Sequence, residues 1–447
     1  MTNPKDDPEY DEWCDPDNPR VITYEDILAS ARRMVGFIAR TQCPRSHMSE
    51  RLGMDLYMKQ EFLQFTGCFK ERGVRNTMMV LTEEQRRYGV VTASAGNHGT
   101  AISFNATELG IPSIIVMPLK APVTKRRNAE RHGGQVILFG DNMAQAKRHA
   151  MTLAKEKKMM YVNGFDHPNV IEGQGTCGIE IIEQVPNVDA VLVPCGGGSL
   201  LAGVAVAVKH LKPDTEVYGI ETENTASMQE SLKKNERIFY PIDTTIADGL
   251  AVNRVGVNTF FNIKGLVTKM VAVSEDWVAR AIMHIIEEER FNVEGAGAVG
   301  MAALMSGLLP NLKGKRVVIV MSGGNIDPTT LGRSLDRGMA AEGRLVKFKV
   351  SVQDKVGGLA ELCQRLNGIG VTIRDCCPER CCVGHNVYTF QFKIIGETRG
   401  WDHTKQMVDL IKKNYKDYLF QDMNGKSDKP TSNKRGPCLA PNPVCMQ

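Results

Sequence analysis

Four short segments of this sequence combine glycine with residues able to bind or react: Thr66-Gly67-Cys68-Phe69-Lys70, Ser94-Ala95-Gly96-Asn97-His98-Gly99, Cys195-Gly196-Gly197-Gly198-Ser199 and Ser322-Gly323-Gly324-Asn325. The third is physically the clearest. It follows an apolar run ending at Pro194 and opens the apolar stretch Leu200–Val208. Glycines let a backbone approach an anion closely, and the N–H groups of a helix start point at that anion with a favourable dipole. A phosphate-bearing ligand is the expected partner. The common nucleotide signatures do not fit: there is no Gly-x-x-x-x-Gly-Lys-Ser/Thr loop, and no Gly-x-Gly-x-x-Gly opens the first strand–helix unit with an acidic residue about 20 positions on. A single glycine cluster is usually only a turn. Four of them at strand ends are informative, because open α/β sheets bind ligands there.

The elements that must position these segments are legible as periodicities. Between residues ~20 and ~340, short apolar runs alternate with helical patterns: Val90–Thr92, Ser113–Met117, Ala190–Val193, Val217–Ile220 and Arg316–Met321 read as strands. Their apolar character on both faces is that of parallel strands covered by helices, so an α/β architecture with open, mostly parallel sheets is expected. Within Asp276–Arg290, Val278, Ala281, Ile282, Ile285 and Ile286 share one helical face. After Gly343 the texture changes. Val346, Phe348, Val350 and Val352 alternate with polar residues, a helical stripe follows at Leu359, Leu362, Cys363 and Leu366, and Val371–Ile373 reads as a short strand. Tyr388–Ile394 alternates again, Met407–Ile411 is helical, and a last strand is expected near Tyr418–Phe420. This β-α-β-β-α-β order is ferredoxin-like. The expected domains are a tail over 1–20, a catalytic region over 21–340, a regulatory unit over 341–423 and a second tail over 424–447, both tails disordered.

Composition narrows the function classes. The 447 residues carry a formal charge of +4 with 42% hydrophobic and 24% charged residues, a balance that makes nucleic acid an unexpected partner. No apolar stretch reaches the ~18 residues of a membrane span, and the acidic start has no apolar core of a secretory signal, so no membrane association is expected. Twelve cysteines without regular spacing read as reduced thiols of a cytoplasmic protein.

The four motifs, in this order, resemble the fold-type II pyridoxal-phosphate enzymes (tryptophan synthase β-like), in particular threonine dehydratases and serine racemases. The resemblance covers residues ~20–335 and implies a smaller subdomain, about 65–165, inserted in a larger one. It implies pyridoxal 5'-phosphate as cofactor, with Lys70 joined to its aldehyde as a Schiff base, Phe69 against the ring and Asn97 on the 3′ oxygen. Gly196, Gly197, Gly198, Ser199 and Leu200 would offer N–H groups to the phosphate, with Ser199 standing where the family usually has a fourth glycine. Ser322 would bond the pyridine nitrogen. Ser94, Ala95, Gly96, Asn97 and His98 would receive the substrate carboxylate. Serine at the ring nitrogen makes a weaker electron sink than a carboxylate would, which suits prompt loss of a β-hydroxyl, and freed Lys70 is then the base at Cα. The implied activity is dehydration and deamination of L-threonine, and of L-serine, to 2-oxobutanoate or pyruvate plus ammonia. The competing readings are a racemase of the same family and an inactive amino-acid sensor. Serine racemases carry a serine before Gly-Asn-His where this chain has Ala95, which disfavours the first. The intact motif set disfavours the second.

Four further features carry expectations of their own. His98 is expected to structure its loop rather than to act as an acid or base. Glu294 resembles a family glutamate near the cofactor, with helix capping as the equal alternative. Glu221 matches one of the two carboxylates that hold a cation in racemases, but Ser227 replaces the other, so no metal is expected. The adjacent cysteines of the Cys376–Cys382 cluster are unlike the spaced pairs of zinc sites, although Cys377 and Cys381 alone would fit a three-residue gap, and reduced thiols are expected there. Residues 344–420, from Asp354-Lys355-Val356-Gly357-Gly358-Leu359, resemble an ACT domain with Val356 in place of the usual proline. That implies an amino-acid effector facing Leu359–Gly370 and a homodimer or homotetramer.

Overall fold

A computed structural model describes residues 10–379 and 388–421. The chain divides into two compact units, Met1–Gly338 and Met339–Gln447.

In the first unit, five parallel strands form a sheet in the order β1-β9-β6-β7-β8. They are β1 (Asp55–Lys59), β6 (Ala190–Pro194), β7 (Glu216–Thr222), β8 (Lys269–Val273) and β9 (Arg316–Val320). A second parallel sheet, in the order β4-β3-β2-β5, comes from the segment between β1 and β6: β2 (Val90–Ala93), β3 (Ser113–Met117), β4 (Gln135–Leu138) and β5 (Met160–Tyr161). Every residue of β6 is buried. Its even-numbered and odd-numbered side chains enter two different apolar clusters, with Leu192 in one and Val191 and Val193 in the other. That is why its sequence shows no alternation. The expected α/β architecture with parallel sheets is the one adopted.

Two local expectations need correction. The helix read over 276–290 is helical over Glu275–His284 and then widens into a π turn, Ile285–Glu289, closed by Arg290 at φ 68°. The side-chain stripe continues through the turn, so periodicity alone does not register the change of winding. Residues 10–20, expected within a disordered tail, are docked: the Arg20 amide donates to Asn258 Oδ1 and Asn258 Nδ2 donates to the Trp13 carbonyl, both at 2.7 Å. Polar composition without periodicity hides a segment whose partners lie more than 200 positions away.

In the second unit, β10 (Leu345–Gln353), β11 (Thr372–Glu379), β12 (Thr389–Glu397) and β13 (Tyr418–Gln421) form an antiparallel sheet ordered β11-β12-β10-β13. Helices Gly358–Gly368 and Trp401–Asn414 complete the ferredoxin-like order. Burial in β12 alternates strictly, placing Phe390, Phe392 and Ile394 in a core with Phe348, Val350, Leu362 and Met407. β11 runs well beyond the expected Val371–Ile373. It is an edge strand with a register shift between Ile373 and Asp375, and none of its residues is fully buried. Cys376 and Cys377 belong to it, whereas Cys381, Cys382 and the 424–447 tail lie outside the described residues.

Candidate active site

The loops leaving the C-terminal ends of β1, β2, β6 and β9 converge on one cleft of about 1220 Å3. From β1 the chain turns at Gly67, φ +77°, where an added Cβ would fall 2.5 Å from Asn325 Oδ1, and enters the helix Lys70–Met79 at Lys70 itself. That turn is stitched to the loop after β9. The Phe69 amide donates to the Ser322 carbonyl at 3.0 Å, the Gly324 amide to the Gly67 carbonyl at 2.9 Å, and Asn325 Nδ2 to the Thr66 carbonyl at 2.8 Å. Buried Glu71 closes the turn by accepting from the Thr66 amide and hydroxyl at 2.7 and 2.8 Å. Two loops remote in sequence therefore present Lys70 and Ser322 as one rigid surface.

Lys70 Nζ donates to the Gly164 carbonyl and lies 5.1 Å from the Phe69 ring centre. Burial pushes its amine down to about 8, against the smaller opposing pull of Cys68 and Glu294. An ordinary lysine at neutral pH is almost wholly protonated; this one has a usable neutral fraction. Ser322 is buried, and its Oγ has no hydrogen-bond partner among the described residues. A buried hydroxyl in that state costs stability unless something else occupies the space before it.

Beyond β2, Ser94 Oγ accepts from the Gly96 and Gly99 amides at 3.3 and 3.1 Å, shaping the turn that starts the helix Asn97–Glu108. Asn97 Nδ2 donates to both Glu294 oxygens, at 2.8 and 3.0 Å, while its Oδ1 accepts from Asn325 Nδ2 at 2.9 Å. Glu294 precedes the helix Gly295–Met305 but makes no side-chain cap there. Of its two readings, proximity to the cleft is the one the contacts support. Burial raises its carboxyl to about 7, partly offset by the Asn97 hydrogen bond. His98 is buried with Nε2 on the Val162 carbonyl at 3.2 Å, and burial, then the charge of Lys70, holds its imidazole down at about 3. A ring that stays neutral throughout the working range fits loop structure better than proton transfer.

After β6, Gly198 adopts φ +101° and opens the helix Ser199–Leu211 with no side chain capping its amides. Gly197 has no room for a side chain, since a Cβ would sit 2.2 Å from Phe165 Cγ. Ser199 and Leu200 are buried at the helix start. The cleft thus gathers Phe69, Lys70, the Ser94–His98 loop, Gly196–Leu200 and Ser322.

Glu221 is not brought to this cleft. It is fully buried below the helix Ser227–Lys234, its oxygens accepting the Met228 and Gln229 amides at 2.8 and 2.9 Å, and burial raises it to about 8. Among the described residues no three His, Cys, Asp or Glu side chains are grouped to hold a metal. The segment Asn163–Asp166 and the residues Asp248–Gly249 line the cleft unannounced by any motif; only the turn-forming Asn163-Gly164 pair after β5 is a sequence signal.

Comparison with known proteins places this geometry in context. A family model described as pyridoxal-phosphate dependent enzyme matches residues 35–323. An L-threonine ammonia-lyase of Thermotoga maritima is 42% identical over 354 residues, covering 79% of this chain and 88% of its own. One of Geobacter sulfurreducens is 38% identical over 392 residues, covering 88% and 97%. Among solved structures, the processed form of threonine deaminase isoform 2 from Solanum lycopersicum superposes with TM-score 0.67 at 34% identity, covering 72% of this chain and 95% of its own. Maize serine racemase does so with TM-score 0.68 at 31% identity, covering 71% and 97%.

Proposed function

The chain belongs to the pyridoxal-phosphate dependent enzymes, and we propose that it is a threonine ammonia-lyase, converting L-threonine to 2-oxobutanoate and ammonia and L-serine to pyruvate and ammonia. Three features fit the cofactor on their own terms. Ser322 Oγ is a buried hydroxyl still in need of a partner, as a pyridine nitrogen would be. The helix start at Gly198 leaves amides free of side-chain caps, as a phosphate requires. Lys70 carries an amine with a lowered pKa, as attack on an aldehyde requires.

When bound, pyridoxal phosphate supplies an electron sink that acidifies the Cα–H bond of an amino acid joined to it. The protein residues do the rest. Gly196–Leu200 would hold the phosphate through N–H groups, with Phe69 beside the ring and Asn97 as the partner of the 3′ oxygen. The Ser94–His98 loop grips the substrate carboxylate at the start of the helix Asn97–Glu108. The Lys70 amine would accept the Cα proton of the bound substrate, and its depressed pKa makes it a competent base near neutrality. Ser322 is a neutral partner for the ring and does not supply a charge that would prolong a carbanion.

The observation that carries elimination over racemisation is Ala95. It lines the cleft in the position where serine racemases carry a hydroxyl, and a methyl group cannot deliver a proton to the opposite face of Cα. Neutral His98, engaged with the Val162 carbonyl, does not replace it. The test is incubation with L-threonine and L-serine, assaying 2-oxo acid and the enantiomers of the remaining amino acid. Oxo acid is expected; D-amino acid without oxo acid would sink the lyase reading and favour the racemase, and neither product would leave the inactive sensor.

We also read the second unit as an ACT-like regulatory domain that pairs between subunits of a homodimer or homotetramer and takes a small amino acid near Leu359–Gly370. Activity titrations with isoleucine and valine, with the oligomeric state followed by sedimentation, test it; no change in either counts against it. No helix among the described residues is long and apolar enough to cross a membrane. Free thiols at Cys43, Cys68 and Cys195 fit a cytoplasmic setting.

A further inference from the structure

Residues 10–20 lie outside the stretch matched by the family model, yet Tyr10, Cys14 and Asp15 line the mouth of the cleft. Specific contacts fasten them there. The Trp13 ring packs 5.0 Å from the His167 imidazole, inclined by 38°. The Trp13 carbonyl accepts from Asn258 Nδ2 at 2.7 Å, and the same nitrogen donates to the Asp166 carbonyl at 2.7 Å. The other end is held by Asn262, whose Nδ2 donates to the Arg20 carbonyl at 2.7 Å while its Oδ1 accepts from the Ile22 amide at 2.8 Å.

The residues that receive this segment lead directly to the glycine loop. The Asp166 carboxylate accepts the Val257 and Thr259 amides at 2.7 and 3.1 Å and also meets the Cys14 thiol. Thr259 Oγ1 donates to the Gly197 carbonyl at 2.7 Å. Phe165, next to Asp166, fills the space a Gly197 side chain would need. Asp166, His167, Asn258 and Thr259 are all buried, so none of these contacts is traded easily for water. A peptide group is planar and trans, so pinning the Gly197 oxygen also fixes the direction of the Gly198 N–H on the opposite side of the same plane.

We propose that residues 10–20 form a strap that braces the phosphate-binding loop, with Trp13 as its positioning residue, its ring acting through His167 and its carbonyl through Asn258 on Asp166, Thr259 and the Gly197–Gly198 peptide. The proposal rests on the cofactor reading above. It distinguishes the cofactor's two ends: a loosened strap should weaken the grip on the phosphate and leave the aldehyde's reaction with Lys70 untouched.

The experiment titrates the full-length, cofactor-free protein with pyridoxal 5'-phosphate and, separately, with pyridoxal, which lacks the phosphate, following the absorbance of the Lys70-bound form. Trp13→Ala, which removes the ring packed on His167, is expected to raise the Kd for pyridoxal 5'-phosphate about fivefold or more, the order of one lost aromatic contact, with the Kd for pyridoxal unchanged. Trp13→Phe, which keeps a ring against His167, is expected to recover most of the affinity. Thr259→Val, which removes only the hydroxyl on Gly197, should show the same phosphate-selective loss and serves if Trp13→Ala does not fold. Wild-type affinity in Trp13→Ala, or equal losses for the two ligands in either variant, overturns the strap. A wild-type protein that binds neither ligand would overturn the cofactor reading instead.

Discussion

Replacing Lys70 by methionine, of similar length but without charge, is expected to stabilise the cofactor-free protein while abolishing its chemistry. Burial holds this amine at about 8 against an ordinary 10.5. Below pH 8 the group is protonated in both folded and unfolded chains, and the fold bears the full cost of an ammonium withdrawn from water. Between about 8 and 10.5 the unfolded chain binds more protons than the folded one, so stability climbs with pH; above that window the cost has gone. A shift of this size corresponds to roughly 3 kcal/mol at pH 7. Loss of the hydrogen bond from Nζ to the Gly164 carbonyl takes back about 1 kcal/mol, leaving Lys70→Met roughly 2 kcal/mol more stable. At pH 9.5 the folded lysine is neutral and the remaining penalty is only about 1.4 kcal/mol, so the advantage should shrink to within ~0.5 kcal/mol. Urea unfolding of both cofactor-free proteins at the two pH values measures this, because titrating groups remote from Lys70 are common to them and cancel in the difference. A variant no more stable than wild type at pH 7, or an advantage that does not change with pH, refutes the argument that the site keeps its base competent at the expense of stability.

Other perturbations test the surrounding parts. Gly197→Ala places a methyl group 2.2 Å from Phe165 Cγ and 2.7 Å from its Cβ, too near the backbone for the ring to swing clear; cofactor affinity should fall more than ~30-fold, corresponding to ~2 kcal/mol or more of strain, as read by absorbance titration. Glu294 has a folded pKa raised from 4.5 to about 7, so its contribution to stability is present below 4.5 and lost as pH rises to about 7. Glu294→Gln should remove that component from the pH dependence of unfolding and shift the acid limb of the activity profile; unchanged profiles would show that Glu294 does not titrate in this range. Arg72 bonds Glu61 through two nitrogens at 2.7 and 2.8 Å, both side chains out of water, and the partly buried Glu180 at 2.7 Å. Arg72→Met leaves buried Glu61 without its cationic partner, while Glu180 keeps Lys59, and should cost ~3–5 kcal/mol, seen as a lower thermal midpoint, whereas a midpoint within experimental error of wild type would mean that the network has no net structural role.

The parts of this site that were legible in advance share one property: their signal is local. Glycine at 196–198 marks a close approach whichever elements lie nearby, and an apolar run such as Ala190–Pro194 marks a strand covered on both faces. The alternating burial of β12 likewise follows from the period of a strand. The motif order that led to Lys70, Asn97 and Ser322 is of the same kind.

What escaped was set by residues distant in the chain. The widened turn after His284 preserves the apolar stripe, so nothing in the pattern announces it. Residues 10–20 look like a polar tail until Asn258 and Asn262 supply the partners that dock them. Glu294 stood between two readings because its neighbour in sequence is a helix start and its partner in space is Asn97.

The sequence by itself therefore determined the fold class and the cofactor family and singled out Lys70, because periodicity, glycine punctuation and motif order are carried by neighbouring residues. The tertiary structure decided how far that lysine is withdrawn from water and what meets the loop opposite it. A pKa depends on how much water and charge surround a group, and a loop's stiffness depends on what its carbonyls bond; both are sums over residues that only folding brings together.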